Sequence, residues 1–140
     1  MRSIAQILDD SHTIAIVGMS NKPDRASYGV GAYLQENGYR IVPVNPSYPG
    51  QSILGEPVYA SLQEAADALA EKGQRIDIVD CFRKSEDIAP IAREAIAVRA
   101  GCLWMQLEIE NQAAADMARA AGLDVVMNHC IKIEHRSLAG

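Results

Sequence analysis

Apolar residues in this chain come in short unbroken runs, and between the runs they recur at helical spacing. "TIAIVG" (from Thr13), "YRIVPVNP" (from Tyr39), "RIDIVDCF" (from Arg75), "CLWMQL" (from Cys102) and "LDVVMN" (from Leu123) have strand length and are rich in β-branched residues. The intervening segments read as helices. A short one opens the chain from about Ser3 to Asp9, and another runs from about Tyr28 to Asn37, with Ser27 as N-cap and Gly38 as terminator. "SLQEAADALAEKG" has a serine cap and a closing glycine, and "NQAAADMARAAG" has Asn111 as cap. In "SEDIAPIAREAIAVRAG" Pro90 fits only a first turn, which sets the start of regular helix near Ile88. A loop rich in Pro, Gly and Ser follows Pro46, with a short strand expected near Pro57 to Tyr59, and Pro43 is awkward for a central strand. The tail "HCIKIEHRSLAG" has no clear pattern.

Strands alternating with helices imply right-handed β-α-β crossovers. The expected fold class is α/β: a three-layer, Rossmann-like, doubly wound and mostly parallel sheet, formed by one domain over residues 1–140. Runs such as "IAIV" and "IDIV" suit strands covered on both faces. Ligands of such sheets bind beyond the carboxyl ends of the strands. Those ends carry Ser20, Asn21, Lys22, Arg25 and Ser27 after the first strand and Asn45 and Pro46 after the second. Phe82, Arg83 and Lys84 follow the "RIDIVDC" strand, Trp104 and Gln106 end the next, and His129 and Lys132 follow the last. Arg40 and Arg75 belong to the opposite rim.

This placement stands out because the chain is acidic, with a formal net charge of −5. That balance argues against nucleic acid as a partner. Hydrophobic residues are 49% and charged residues 22% of the 140, a globular composition, and no run is long enough to span a bilayer. Three widely spaced cysteines, without a Cys-x-x-Cys pair, suggest reduced thiols in a cytoplasmic protein, mostly buried.

The segment "GMSNKPDRASY" then asks for a phosphorylated ligand. Free amides at the start of a helix form an anion site, and Gly18 would let backbone approach the ligand. Ser20 and Ser27 can donate hydrogen bonds, and Lys22 and Arg25 can pair with phosphate oxygens. Gly29 and Gly31 would let the helix lie close against the sheet, or are simply small residues beneath it. A dinucleotide site usually needs G-x-G-x-x-G and an acidic residue after the second strand, whereas this chain has Gly18-x-Ser20-x-x-Pro23 and Asn45. An NADP reader remains open through Lys22 or Arg25, and no phosphate loop of the G-x-x-x-x-G-K-[ST] type occurs. Coenzyme A, with its pyrophosphate, ribose phosphate and long neutral arm, fits better.

The segments "AIVGMSNKPDRASYGVGAYLQENGYRIVPVNP", "IDIVDCFRKSEDI" and "LWMQLEIENQAAADMARAAGLDVVMNHCIKIEH" resemble the small stand-alone CoA-binding proteins, which are similar to the amino-terminal domain of the succinyl-CoA synthetase α subunit. The resemblance runs from about Ile4 to Leu138. It implies that the nucleotide phosphates lie near Ser20, Arg25, Ser27 and Tyr28. Asn45, Pro46, Phe82 and Arg83 would then line the cofactor, with Trp104, Gln106 and Lys132 farther along the groove. It also implies binding of CoA or a short acyl-CoA without catalysis, with a protein partner or homodimer possible. The alternatives are an NADP-dependent reductase or epimerase, which lacks a visible Tyr-x-x-x-Lys pair, and a CoA-sensing regulatory subunit.

His129, Cys130, Glu134 and His135 have ligand chemistry, but they are read as a strand end and tail rather than a metal site. Cys130 is a nucleophile, a partner for the cofactor thiol or a structural thiol. Trp104 is read as mainly core with one edge on the groove. Asp80 and Glu108 are read as following strands and have the chemistry of bases, but nothing pairs them with a nucleophile.

Overall fold

The computed structural model describes residues 1–139. In chain order the elements are α1 (Ile4–Asp10), β1 (Thr13–Val17), α2 (Ala26–Glu36), β2 (Arg40–Val44), β3 (Ser52–Ile53), β4 (Glu56–Pro57), α3 (Leu62–Ala70), β5 (Ile78–Cys81), a 3₁₀ turn (Ser85–Asp87), α4 (Ile88–Ala97), β6 (Cys102–Met105), α5 (Gln112–Ala120), β7 (Asp124–Val126) and α6 (Ile131–Ala139). Five strands form one parallel sheet in the order β2-β1-β5-β6-β7, and β3 and β4 form a small separate hairpin. From β1 the chain winds outward to β2, then crosses to β5 on the other side. The switch point, where crevices open in such sheets, therefore lies between the carboxyl ends of β1 and β5.

Each apolar run divides between two cores because successive side chains leave a strand on opposite faces. Ala15, Val42, Val79, Cys81 and Leu103 face α3, α4 and α5, whereas Ile14, Ile16, Ile41, Ile78 and Trp104 face α1, α2 and α6. The first layer is alanine-rich, with Ala92 and Ala95 on α4 and Ala114, Ala115 and Ala118 on α5 all buried. Small side chains there let the two helices lie close to the sheet and to each other. No helix among the described residues is long and apolar enough to cross a membrane.

Local signals in the sequence hold where they rest on near neighbours. Ser61 accepts from the amide of Glu64, and Asn111 from that of Ala114, so both cap as expected. Regular helix starts at Ile88 after the 3₁₀ turn, with Pro90 in its first turn. Pro43 is accommodated because β2 is an edge strand. Its missing N–H faces away from β1, and its carbonyl accepts from the Tyr59 amide at 3.0 Å on that outer side.

Three expectations need correction. α2 begins at Ala26 with Arg25 as N-cap residue, so Ser27 lies inside the first turn, where its hydroxyl accepts from the Ser20 amide instead of capping. The short strand expected at Pro57 to Tyr59 is β4 at Glu56–Pro57, and Tyr59 makes only an isolated bridge to Val44. The tail folds as α6, anchored by the fully buried Ile131. Gly31 does allow close helix–sheet packing: a Cβ there would lie 2.5 Å from the Met19 methyl and 3.4 Å from Ile16 Cδ1. Gly29 has no such role, since a Cβ would meet nothing within 4 Å.

Candidate functional site

The loop between β1 and α2 is held from several directions. Gly18 donates to Val44 O at 2.8 Å, and Phe82 donates to Val17 O at 2.9 Å. Asn45, buried at the end of β2, donates through Nδ2 to Met19 O at 3.0 Å and accepts from the Ser47 amide at 2.9 Å. Inside the loop Ser20 N donates to Ser27 Oγ at 2.9 Å, and Lys22 N donates to Ser20 Oγ at 3.1 Å. Both hydroxyls use a lone pair on the backbone, so each keeps its own proton to donate outward.

Gly18 is glycine for a reason the sequence did not reveal. Its φ is +85°, and a Cβ would stand 2.5 Å from Phe82 O and 2.8 Å from Arg83 Cδ. The β5–α4 loop fills the space that was expected for a ligand, and the residue is required by the packing of the chain itself.

α2 starts without a side-chain cap: Arg25 is extended (φ −86°, ψ 147°) and makes no capping hydrogen bond. The first-turn amides of this 11-residue helix therefore have no side-chain partner among the described residues, under the positive end of the helix dipole. They open on a crevice of about 320 Å³ lined by Gly18, Ser20, Lys22, Arg25, Ala26, Ser27, Tyr48 and Phe82. Six of these residues were expected from the sequence. Ala26 joins them as one of the free amides expected at the helix start, whereas Tyr48 was not expected: it arrives from the loop after β2, and no local signal marks it.

Two further depressions adjoin this one. A cavity of about 290 Å³ lies on the α3/α4 side and includes Gly18, Pro46 and Arg83, and a shallower one of about 460 Å³ includes Phe82, Arg83 and Lys84. A larger cavity, about 660 Å³, lies at the opposite rim between α1, α6 and the α2–β2 turn, with Asp9, His12 and His135 in its wall. No lysine or arginine lines it, so volume alone is a poor guide to an anion site here.

Charge pairing separates the two rims. Arg2, Arg40 and Arg75 at the amino-terminal rim each have a carboxylate within 4.0 Å: Asp124, Glu56 and Asp77. Lys22, Arg25, Arg83 and Lys84 have none among the described residues. Unopposed cations beside unopposed amides suit a multiply charged anion.

Other expected residues lie elsewhere. Trp104 is fully buried and offers no edge to the crevice; its Nε1 donates to His129 O at 2.8 Å. Gln106 is buried against Asp80, donating to Oδ1 at 2.5 Å. Lys132 sits on α6 with Nζ 5.5 Å from the Tyr33 ring centre, and Tyr28 packs into the α2/α6 core.

Asp80 lies within β5 rather than after it. It is fully buried, Oδ2 has no partner among the described residues, and burial raises its pKa to about 7, against a smaller opposing effect of the Gln106 hydrogen bond. Cys81, Cys102 and Cys130 are all free thiols. Burial pushes the Cys81 and Cys102 thiols up, out of nucleophilic range. The histidines of the tail diverge: His129 Nδ1 is 3.6 Å from Glu134, and His135 Nδ1 is 2.8 Å from the Tyr33 hydroxyl. No group of three metal-ligating side chains occurs among the described residues.

The fold is a parallel α/β sheet with a basic crevice at its switch point, and the family is clear. Residues 12–136 match the family described as CoA binding domain, and the chain belongs to it. It is 38% identical over 132 residues to the uncharacterized protein YneT of Bacillus subtilis (strain 168), covering 94% of this chain and 91% of that protein. A solved protein of Thermus thermophilus is 32% identical with a TM-score of 0.87, covering 96% of both chains. A hypothetical protein of Pyrococcus horikoshii is 36% identical with a TM-score of 0.86, covering 98% of this chain and 90% of its own. A Rex-family repressor, at 15% identity and a TM-score of 0.60 over 94% of this chain and 59% of its own, shares the fold alone.

Proposed function

We propose that this protein binds coenzyme A or a short acyl-CoA at the carboxyl ends of β1 and β5, and acts as a carrier or sensor without chemistry of its own. The observation that carries this reading is the uncapped start of α2 facing cations with no carboxylate partner. The amides of the first turn and the hydroxyls of Ser20 and Ser27 hold phosphate oxygens, and Lys22 and Arg25 neutralise them. Phe82 and Tyr48 give the crevice apolar surface beside these donors. Asn45 acts one step back, tying the loop to β2. Coenzyme A, when bound, supplies a thiol that is free or carries an acyl group. Membership of the CoA-binding family supports the same choice.

Two measurements test the proposal. Mass spectrometry of molecules released on denaturing the purified protein should find CoA or an acyl-CoA. Calorimetric titration should show CoA binding more tightly than NAD, NADP or ATP. Equal or tighter binding of NADP would replace this reading with that of a nicotinamide enzyme, since Lys22 and Arg25 also suit a ribose phosphate.

A further inference from the structure

The cavity of about 290 Å³ on the α3/α4 side of Gly18 is not needed to hold phosphate, and its walls have a different character. Val44, Leu62 and Ile91 make it apolar in depth, while Glu86, Asp87 and Glu94 supply carboxylates around it and Arg83 the one lysine or arginine side chain. Glu86 and Asp87 stand before the start of α4, where the helix dipole favours them. Glu94 lies two turns farther on, half-buried, where the dipole gives no such support, and no cation pairs with it among the described residues. Gly18 lines both this cavity and the basic crevice, so the two adjoin at it. One side carries Lys22 and Arg25 with no carboxylate, and the other carries three carboxylates with one guanidinium. A molecule held in the crevice whose end reaches into the neighbouring cavity meets a positive field at one end and a negative field at the other. At the lower end of small-molecule cavity sizes, the chamber holds the end of a ligand rather than a whole one.

We infer that this chamber receives the acyl end of the bound thioester and selects uncharged acyl groups against those ending in a carboxylate, with Glu94 as the specificity-determining residue. The inference rests on the coenzyme A reading above. The selection against a terminal carboxylate is exclusion by like charge, while an uncharged acyl group meets the apolar depth of the chamber, so an uncharged thioester binds at least as tightly as free CoA.

Calorimetric titration of free CoA, propionyl-CoA and succinyl-CoA tests it on the wild type, on Glu94→Gln and on Glu86→Gln/Glu94→Gln, with circular dichroism to check folding. The wild type should bind propionyl-CoA at least as tightly as free CoA, and succinyl-CoA roughly tenfold more weakly than propionyl-CoA, the scale expected of a partly exposed like-charge contact. The gap should narrow in Glu94→Gln and nearly close in the double variant, with affinity for free CoA little changed. Succinyl-CoA binding as tightly as propionyl-CoA to the wild type, or an undiminished gap in the double variant, overturns the inference while leaving the coenzyme reading intact. Failure of all three compounds to bind the wild type overturns both.

Discussion

Replacing Asp80 with Asn removes the only titrating group in the β5–β6 polar contact while keeping its shape. Asp80 has no exposed surface, so solvent does not screen the cost of ionising it. Its pKa rises from 3.8 to about 7 in the folded protein, because burial disfavours the charged form. An acid with a raised folded pKa destabilises the fold as pH rises: between about 4 and 7 the unfolded chain gives up the proton and the folded one does not. A tenfold change in an ionisation constant is worth about 1.4 kcal/mol, so the full loss is on the order of 4 kcal/mol, reached above pH 7. Between about pH 5 and pH 8 the wild type should therefore lose roughly 2.5 kcal/mol relative to Asp80→Asn. The introduced amide can still pair with Gln106, because either amide can turn to present oxygen to nitrogen. Urea unfolding of both proteins across this range isolates the effect, since every other titrating group is shared. The midpoints should separate on the order of 1 M further at about pH 8 than at about pH 5. Parallel midpoint curves would refute the claim that a neutral carboxyl is buried here.

Three further outcomes follow from the geometry. Gly29→Ala should stabilise by roughly 0.5–1 kcal/mol, because alanine restricts the unfolded chain and meets nothing in α2, whereas Gly18→Ala should destabilise by about 2 kcal/mol or more from its φ of +85° and its contact with Phe82 O; thermal melts would contradict this if the two changed in the same direction. Arg25→Ala should weaken CoA binding by roughly 1.5–3 kcal/mol, the worth of a charge-assisted hydrogen bond, while Arg40→Ala, whose side chain is held by Gln74 and Glu56 at the opposite rim, should leave it almost unchanged. Calorimetric titration of the two variants checks this, and equal losses would overturn the assignment of the rims. Thiol titration of the native protein should label Cys130 first and leave Cys81 and Cys102 unreactive until denaturation, and early labelling of either buried thiol would show that its strand opens.

The alternating apolar runs, the caps at Ser61 and Asn111 and the restriction imposed by Pro90 determined the elements from the sequence alone. Each depends on residues within one or two turns of one another, and strand–helix alternation then admits few topologies. The cationic loop ahead of α2 was legible for the same reason, since a helix start and its basic neighbours are adjacent in the chain. What joins that loop to its surroundings was not. Strand order brings Gly18 under Phe82 and Arg83 and seats Gln106 on Asp80. The fold also turns Trp104 inward and carries Tyr48 to the crevice. α6 escaped notice because little beyond Ile131 is buried on it, which leaves a weak apolar period to read. The side chains that meet at the switch point are tens of residues apart, and their meeting is decided by which strands pair. Local periodicity carries no record of that choice, so only the folded sheet shows which polar residues face a ligand and which are spent on one another.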